Sequence, residues 1–76
     1  MTTVTVYTSP GCVQCNATFR ALDKAGITYS TVDVSIDTAA VEKLRELGHT
    51  QAPVVLTETD HWSGFRPDKI SELAAA

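Results

Sequence analysis

The chain begins with an alternation of apolar and polar residues, and a helical repeat follows it. Residues 4–8 (Val-Thr-Val-Tyr-Thr) alternate and are rich in β-branched side chains, which is typical of a strand. Residues 9–11 (Ser-Pro-Gly) indicate a turn, and a helical pattern extends over residues 13–25 as far as Gly26, which suits a helix C-cap. Phe19 lies at the edge of the apolar face of this helix, which carries Cys15, Thr18, Ala21, Leu22 and Ala25.

A second strand and a second helix are predicted next. Residues 27–34 are again alternating and β-branched. Asp37 is a favourable N-cap for a helix over residues 38–47, and Gly48 is a stop signal for that helix. Its apolar line is Val41, Leu44 and Leu47. Because a helix joins the first two strands, we expect them to be parallel, with a right-handed crossover.

The last part of the chain predicts a hairpin and a third helix. Residues 54–57 and 61–65 have strand patterns, and residues 58–60 make a short hairpin connection between them. Pro67 suits the first turn of a final helix, where its missing N–H costs nothing. The order β-α-β-α-β-β-α predicts a single α/β domain over residues 1–76, with a four-stranded mixed sheet flanked by three helices.

Composition and charge exclude several classes of partner. The net charge is −3, and the six Lys and Arg residues are scattered rather than gathered into the basic stripe that nucleic-acid binding requires. No apolar run approaches the ~20 residues needed to span a bilayer. The N-terminal residues lack the basic and apolar regions of a signal peptide. We therefore expect a cytoplasmic protein that binds neither nucleic acid nor a membrane.

Cys12 and Cys15 are predicted to lie where the first strand leads into the first helix. At a helix N-terminus, free N–H groups and the helix dipole favour an anion, so we expect the pKa of the Cys12 thiol to fall from about 8.5 to about 7 or below. Cys15 is one helical turn further on, so the two sulfur atoms can meet on one side of the helix. This arrangement predicts thiol–disulfide exchange, in which Cys12 attacks a partner disulfide and Cys15 resolves the mixed disulfide.

Other roles for two cysteines are also possible. A structural disulfide is rare in a reducing cytosol. A zinc site normally has four ligands, and the further candidates His49 and His61 are separated far more widely than the usual histidine ligands. Haem attachment requires a histidine directly after the second cysteine, where this chain has Asn16. A C-x-x-C pair between a strand and a helix therefore favours the redox interpretation.

Pro53 has two interpretations at the start of the third strand. An ordinary trans proline is tolerated there. A cis bond between Ala52 and Pro53 would turn the Ala52 backbone toward the cysteines, where its N–H and C=O can hold an incoming peptide as an added strand. The β-α-β redox context favours the cis form, although cis bonds are only ~5% of bonds to proline in general.

Three segments of the chain carry a resemblance to one family, and the resemblance covers essentially the whole length of the chain. They are Cys-Val-Gln-Cys at residues 12–15, Gln-Ala-Pro-Val-Val at 51–55 and His-Trp-Ser-Gly-Phe-Arg-Pro-Asp-Lys-Ile at 61–70. The chain resembles the NrdH-type redoxins, which are glutaredoxin-like members of the thioredoxin-fold superfamily. The resemblance implies that Cys12 is the nucleophile, Cys15 the resolving thiol and Pro53 a cis proline. It implies substrate contacts by Val13, Gln14, Ala52, Pro53, Trp62, Ser63, Gly64, Phe65 and Arg66.

The resemblance also implies partners. Redoxins of this type take electrons from NADPH through thioredoxin reductase and pass them to the large subunit of the class Ib ribonucleotide reductase, which makes deoxyribonucleotides. We therefore expect no bound cofactor and no metal, and we expect a monomer. For two of the implied contacts other roles remain open, since Trp62 is equally suited to core packing and Arg66 to a solvated position before a helix.

Two other functions on the same fold are a glutathione-dependent glutaredoxin and a metal or iron–sulfur binding module. Glutaredoxins that use glutathione usually have Pro-Tyr between the cysteines, where this chain has Val13-Gln14. They also have a basic residue after the first strand, where this chain has Thr8-Ser9, and a Gly-Gly…Asp-Asp type segment at the last helix, where it has residues 63–68 (Ser-Gly-Phe-Arg-Pro-Asp). These departures predict that glutathione is a poor reductant.

Overall fold

The computed structural model describes residues 3–49 and 51–75 and confirms the predicted order of elements. The strands are β1 (Thr5–Thr8), β2 (Ser30–Asp33), β3 (Val54–Leu56) and β4 (His61–Ser63). The helices are α1 (Val13–Lys24), α2 (Thr38–Glu46) and α3 (Pro67–Ala75). Among the described residues, no helix is long and apolar enough to cross a membrane.

The four strands form one mixed sheet in the order β2-β1-β3-β4. As predicted, β1 and β2 are parallel, whereas β3 is antiparallel to both β1 and β4. The carboxyl ends of β1 and β2 therefore lie at the same edge of the sheet as the beginning of β3. This edge receives the turn from β1 to α1 and the loop that ends at Pro53, so the topology brings two of the three family segments together.

All four strands are shorter than their sequence patterns predict, β1 and β3 by one residue and β2 and β4 by more. The segment over residues 27–29 does not pair in the sheet, because the Ile27 N–H donates to Leu22 O at the end of α1 and holds the chain against the helix. The fourth strand ends at Ser63 because Gly64 has a φ of +82°, in the left-handed region where a strand cannot continue. Periodicity alone indicates neither of these limits.

The sheet has a hydrophobic core on each face, because alternate residues of a strand point to opposite sides. The face under α1 and α3 buries Val4, Val6, Leu22, Val55, Trp62 and Ile70. The face under α2 buries Tyr7, Ala40, Leu44 and Val54. Phe19 is half-buried at the edge of the first core, as predicted, and stacks on Tyr29 with 5.6 Å between ring centroids.

Candidate functional site

A disulfide joins Cys12 and Cys15 at the beginning of α1. Gly11 has a φ of +73° in the turn that follows β1, and this turn brings the chain to Cys12, the N-cap residue of α1. Cys12 is partly exposed, whereas Cys15 is 1% exposed. The more accessible sulfur is therefore the one at the helix terminus, and the second sulfur lies behind it in the protein.

The first turn of α1 acts directly on the Cys12 sulfur. The backbone N–H of Cys15 donates to Cys12 Sγ over 3.0 Å, as an oxygen-bearing N-cap side chain would accept from the same position. A thiolate accepts such a hydrogen bond more strongly than a thiol does, and the positive end of the helix dipole favours the same charge. When the disulfide is reduced, this geometry stabilises the negative charge at Cys12.

The loop before β3 supplies the second part of the site. The peptide bond between Ala52 and Pro53 is cis, and Pro53 is buried. The Pro53 carbonyl accepts a hydrogen bond of 2.8 Å from the Gly64 N–H. A β-carbon at Gly64 would lie 3.7 Å from Gln14 Oε1, so the end of β4 touches the segment between the two cysteines. All three family segments therefore meet at one edge of the sheet.

Exposed apolar side chains lie next to the disulfide. Val13, which follows Cys12, is 77% exposed, and Phe65, which follows Gly64, is 39% exposed. Gln14 and Ser63 are also exposed. Large apolar side chains that face water near a reactive group are typical of a surface that docks another protein.

Comparisons with known proteins decide the family. The glutaredoxin family model matches residues 4–62. The chain is 44% identical over 73 residues to the glutaredoxin-like protein NrdH of Escherichia coli strain K12, covering 96% of this chain and 90% of that protein. The solved structure of the E. coli NrdH-redoxin superposes with a TM-score of 0.90 at 44% identity, over 93% of each chain. This chain belongs to the NrdH redoxins of the glutaredoxin family.

The match extends to distant members of the same group. The NrdH protein of Lactococcus lactis strain MG1363 is 34% identical over 71 residues, which is 93% of this redoxin and 99% of that protein. Membership of this family, together with the disulfide between Cys12 and Cys15, makes the chain a thiol–disulfide oxidoreductase. The sequence alone predicted this family and the fold, and both are confirmed.

Trp62 lies in the core of the redoxin rather than on the surface beside the disulfide. Its side chain is 5% exposed and packs with Val55 and Ile70 on the face under α1 and α3. Its Nε1 has no hydrogen-bond partner among the described residues. The structure therefore supports the core-packing interpretation of Trp62 and not a direct contact with a partner protein. The neighbouring residues Ser63 and Phe65 remain exposed.

Arg66 forms an ion pair with Asp68 at the beginning of α3. Its Nε donates to Asp68 Oδ1 over 3.1 Å, and its Nη2 donates to Asp68 Oδ2 over 2.9 Å, which is a two-point ion pair. These hydrogen bonds hold the pKa of Asp68 below its usual range and raise the pKa of Arg66. Both side chains are about half exposed, so Arg66 is accessible on the surface while its head group is oriented by Asp68.

A contact between His49 and His61 was not predicted from the sequence. His49 Nε2 and His61 Nδ1 are 2.7 Å apart, and the two rings are almost perpendicular. The residues are 12 positions apart, one in the loop after α2 and one in β4, so no spacing pattern indicates the contact. Within residues 3–49 and 51–75, no three or more His, Cys, Asp or Glu side chains cluster as metal ligands would.

Proposed function

We propose that this redoxin is reduced by thioredoxin reductase, at the expense of NADPH, and passes two electrons to a disulfide in the large subunit of a class Ib ribonucleotide reductase. The observation that carries the proposal is the site itself: a disulfide at a helix N-terminus with the exposed apolar residues Val13 and Phe65 beside it. This surface suits a protein partner. The relationship to NrdH redoxins supports the choice of partners, and we expect the exchange to take place in the cytoplasm.

The chemistry is a two-step exchange that starts from the dithiol form. The Cys12 thiolate attacks one sulfur of the partner disulfide, a mixed disulfide forms and the other partner sulfur leaves as a thiolate. Cys15 then loses its proton and attacks Cys12 Sγ, which re-forms the Cys12–Cys15 disulfide and releases the second partner sulfur. Two electrons pass to the partner, the redoxin is oxidised, and two protons end on the partner thiols or in water.

The reducing partner is needed to reopen the disulfide. A reductase thiolate attacks Cys12 Sγ, the more exposed of the two sulfurs, and Cys15 leaves with the electron pair of the broken bond. A second reductase thiol releases Cys12 and leaves the reductase oxidised. The electrons of that reductase come from NADPH, so the redoxin itself needs no bound cofactor.

The loop at Ala52 and Pro53 is proposed to hold the partner segment. Peptide groups of Ala52 pair with an extended partner segment, as in other proteins that add a peptide strand to their own backbone. We expect the rest of the contact to come from residues of the two neighbouring family segments, which are Val13, Gln14, Ser63, Gly64, Phe65 and Arg66. An extended segment bound there presents its cysteine to Cys12.

A reconstituted assay tests the proposal. NADPH oxidation is measured with purified thioredoxin reductase and the redoxin, first with a small disulfide substrate and then with class Ib ribonucleotide reductase and deoxyribonucleotide formation as readout. We expect turnover with the wild type and none with Cys12→Ser. Cys15→Ser should accumulate a mixed disulfide with the partner, visible on a non-reducing gel.

The double variant Cys12→Ser/Cys15→Ser provides the baseline, since the chain contains two cysteines in all. A parallel reaction replaces thioredoxin reductase with glutathione and glutathione reductase. Reduction by glutathione at a rate equal to or above that with thioredoxin reductase would contradict the proposed electron donor. Normal reduction of the small disulfide without any support of ribonucleotide reductase would contradict the proposed acceptor.

A further inference from the structure

A cavity of about 310 Å³ lies between α2 and the loop that ends at Ala52. Its apolar wall consists of Val34, Val41 and Leu44. Its polar side consists of Arg45, His49 and Gln51, and Ala52 completes the lining. We call this the Arg45 cavity. An apolar wall with one cationic group suits a side chain that has both methylene groups and a negative charge.

The Arg45 cavity adjoins the disulfide site through two connections. The Val34 N–H donates to Thr8 O over 2.9 Å, and Thr8 is the last residue of β1 before the turn to Cys12. At the other side, Ala52 lines the cavity and forms the cis peptide bond with Pro53. A peptide segment that pairs with Ala52 therefore passes the mouth of the cavity on its way to Cys12.

The residues that line the cavity include a cation, Arg45, and no Asp or Glu, although the whole chain carries a net charge of −3. Arg45 is exposed, and the ion pairs found among the described residues, Arg66 with Asp68 and Lys69 with Asp60, do not involve it. His49 is held at the cavity wall by its 2.7 Å contact with His61. The Arg45 guanidinium is therefore available to a ligand that binds in the cavity. The contact between His49 and His61 holds another part of the cavity wall in place.

We propose that the Arg45 cavity receives the side chain next to the reactive cysteine of the partner segment, and that Arg45 selects a carboxylate at that position. This inference rests on the proposed function. Neighbouring side chains of an extended segment point to opposite sides. When the partner cysteine faces Cys12, the adjacent side chain points the other way, toward α2. A glutamate there places its methylene groups on Val41 and Leu44 and its carboxylate at Arg45.

Short model substrates test the charge preference without any reductase. Each substrate is a capped peptide whose cysteine forms a mixed disulfide with 2-thiopyridine. In the first series Glu, Gln or Lys directly precedes the cysteine, and in the second series it directly follows the cysteine. Pre-reduced redoxin is mixed with each peptide, and release of 2-thiopyridine is followed in a stopped-flow instrument. The neutral leaving group adds no charge of its own.

For one of the two series we expect the second-order rate constant to fall in the order Glu, Gln, Lys, with about fivefold between Glu and Gln, as for one charge-assisted contact at a surface. Arg45→Glu should reverse the order. The matched control is Arg20→Glu, which makes the same charge change on α1, on the opposite face of the sheet, and should keep the wild-type order. The preference should weaken with added salt.

Two results would overturn the inference. One is equal rates for Glu, Gln and Lys in both series. The other is a preference for Glu that Arg45→Glu leaves in place or that Arg20→Glu removes equally. Failure of the proposed function looks different, because the peptides would then be reduced with the expected order while the coupled assay with thioredoxin reductase or ribonucleotide reductase shows no turnover.

Discussion

At the scale of single residues, the backbone of α1 determines the chemistry of Cys12. The Cys15 N–H that donates to Cys12 Sγ belongs to the main chain, so its position depends on the helix and not on the Cys15 side chain. Helix N-termini lower the pKa of a thiol because the free N–H groups stabilise the thiolate. The partly exposed sulfur is the one that receives this stabilisation, which gives the two thiols different roles.

This dependence on the backbone leads to a prediction for thiol titration. In reduced Cys15→Ser, Cys12 keeps the N–H contact, so the pKa of its thiol should lie well below the value of about 8.5 for a free cysteine. Thiolate absorbance in the ultraviolet, recorded against pH, measures it. The complementary variant Cys12→Ser retains only Cys15, which is buried and lacks the N-cap contact. The Cys15 thiol should therefore ionise at a higher pH than the Cys12 thiol. A Cys12 thiol that ionises at or above 8.5 would contradict the mechanism.

Residue-level features of the site were predictable where they depend on local sequence. The Cys-Val-Gln-Cys segment follows a strand and begins a helix, so the placement of Cys12 follows from neighbouring residues. The cis bond at Pro53 was likewise predicted from the β-α-β context and is present. The Arg45 cavity and the contact of His49 with His61 were not predictable, because both depend on how α2 packs against the sheet.

At the scale of elements, α2 packs against the sheet and also supplies Arg45, the residue proposed to select the partner side chain. Asp37 caps this helix by accepting a hydrogen bond of 3.1 Å from the Ala40 N–H. Ala40 and Leu44 are buried against the sheet, while Arg45 faces the cavity. The sequence predicted the cap and the helix but placed Val41, Leu44 and Leu47 on its apolar line. Ala40 is more deeply buried than Val41, because Ala40 lies one helical turn before Leu44, on the face of the helix that packs against the sheet.

We expect Asp37→Ala to lower the free energy of unfolding by about 1 kcal/mol, the usual value of a lost N-cap. Chemical denaturation of the oxidised protein, followed by circular dichroism, measures the change. Asp37→Ser is the matched control, because a serine hydroxyl can accept the same hydrogen bond, and it should recover most of the loss. If alanine and serine at position 37 gave equal stability, the hydrogen bond to the Ala40 N–H would not be the source of the effect.

At the scale of the whole molecule, β4 joins the sheet to both helices on one face. Trp62 pairs with Val55 across the sheet and packs in the same core as Leu22 of α1 and Ile70 of α3. Alternation along residues 61–65 predicted that one face of this strand is buried, but it did not decide whether Trp62 or its neighbours lie inside. The pairing register with β3 decides it, since Val55 already faces this core.

The position of Trp62 gives a final prediction about stability. Removing a buried aromatic side chain typically costs about 3–5 kcal/mol, which is a large fraction of the stability of a domain of this size. Trp62→Ala should therefore be largely unfolded or unfold at a much lower denaturant concentration. Trp62→Phe keeps most of the apolar volume and removes the buried Nε1–H, which has no hydrogen-bond partner among the described residues. The free energy of unfolding should therefore fall much less in Trp62→Phe than in Trp62→Ala. Denaturation midpoints of the two variants, compared with the wild type and followed by circular dichroism, measure both effects.

Because Trp62 is 5% exposed, Trp62→Phe should also retain the rate of peptide disulfide reduction. A Trp62→Phe protein that is stable but exchanges disulfides much more slowly would show that this side chain contacts the partner after all.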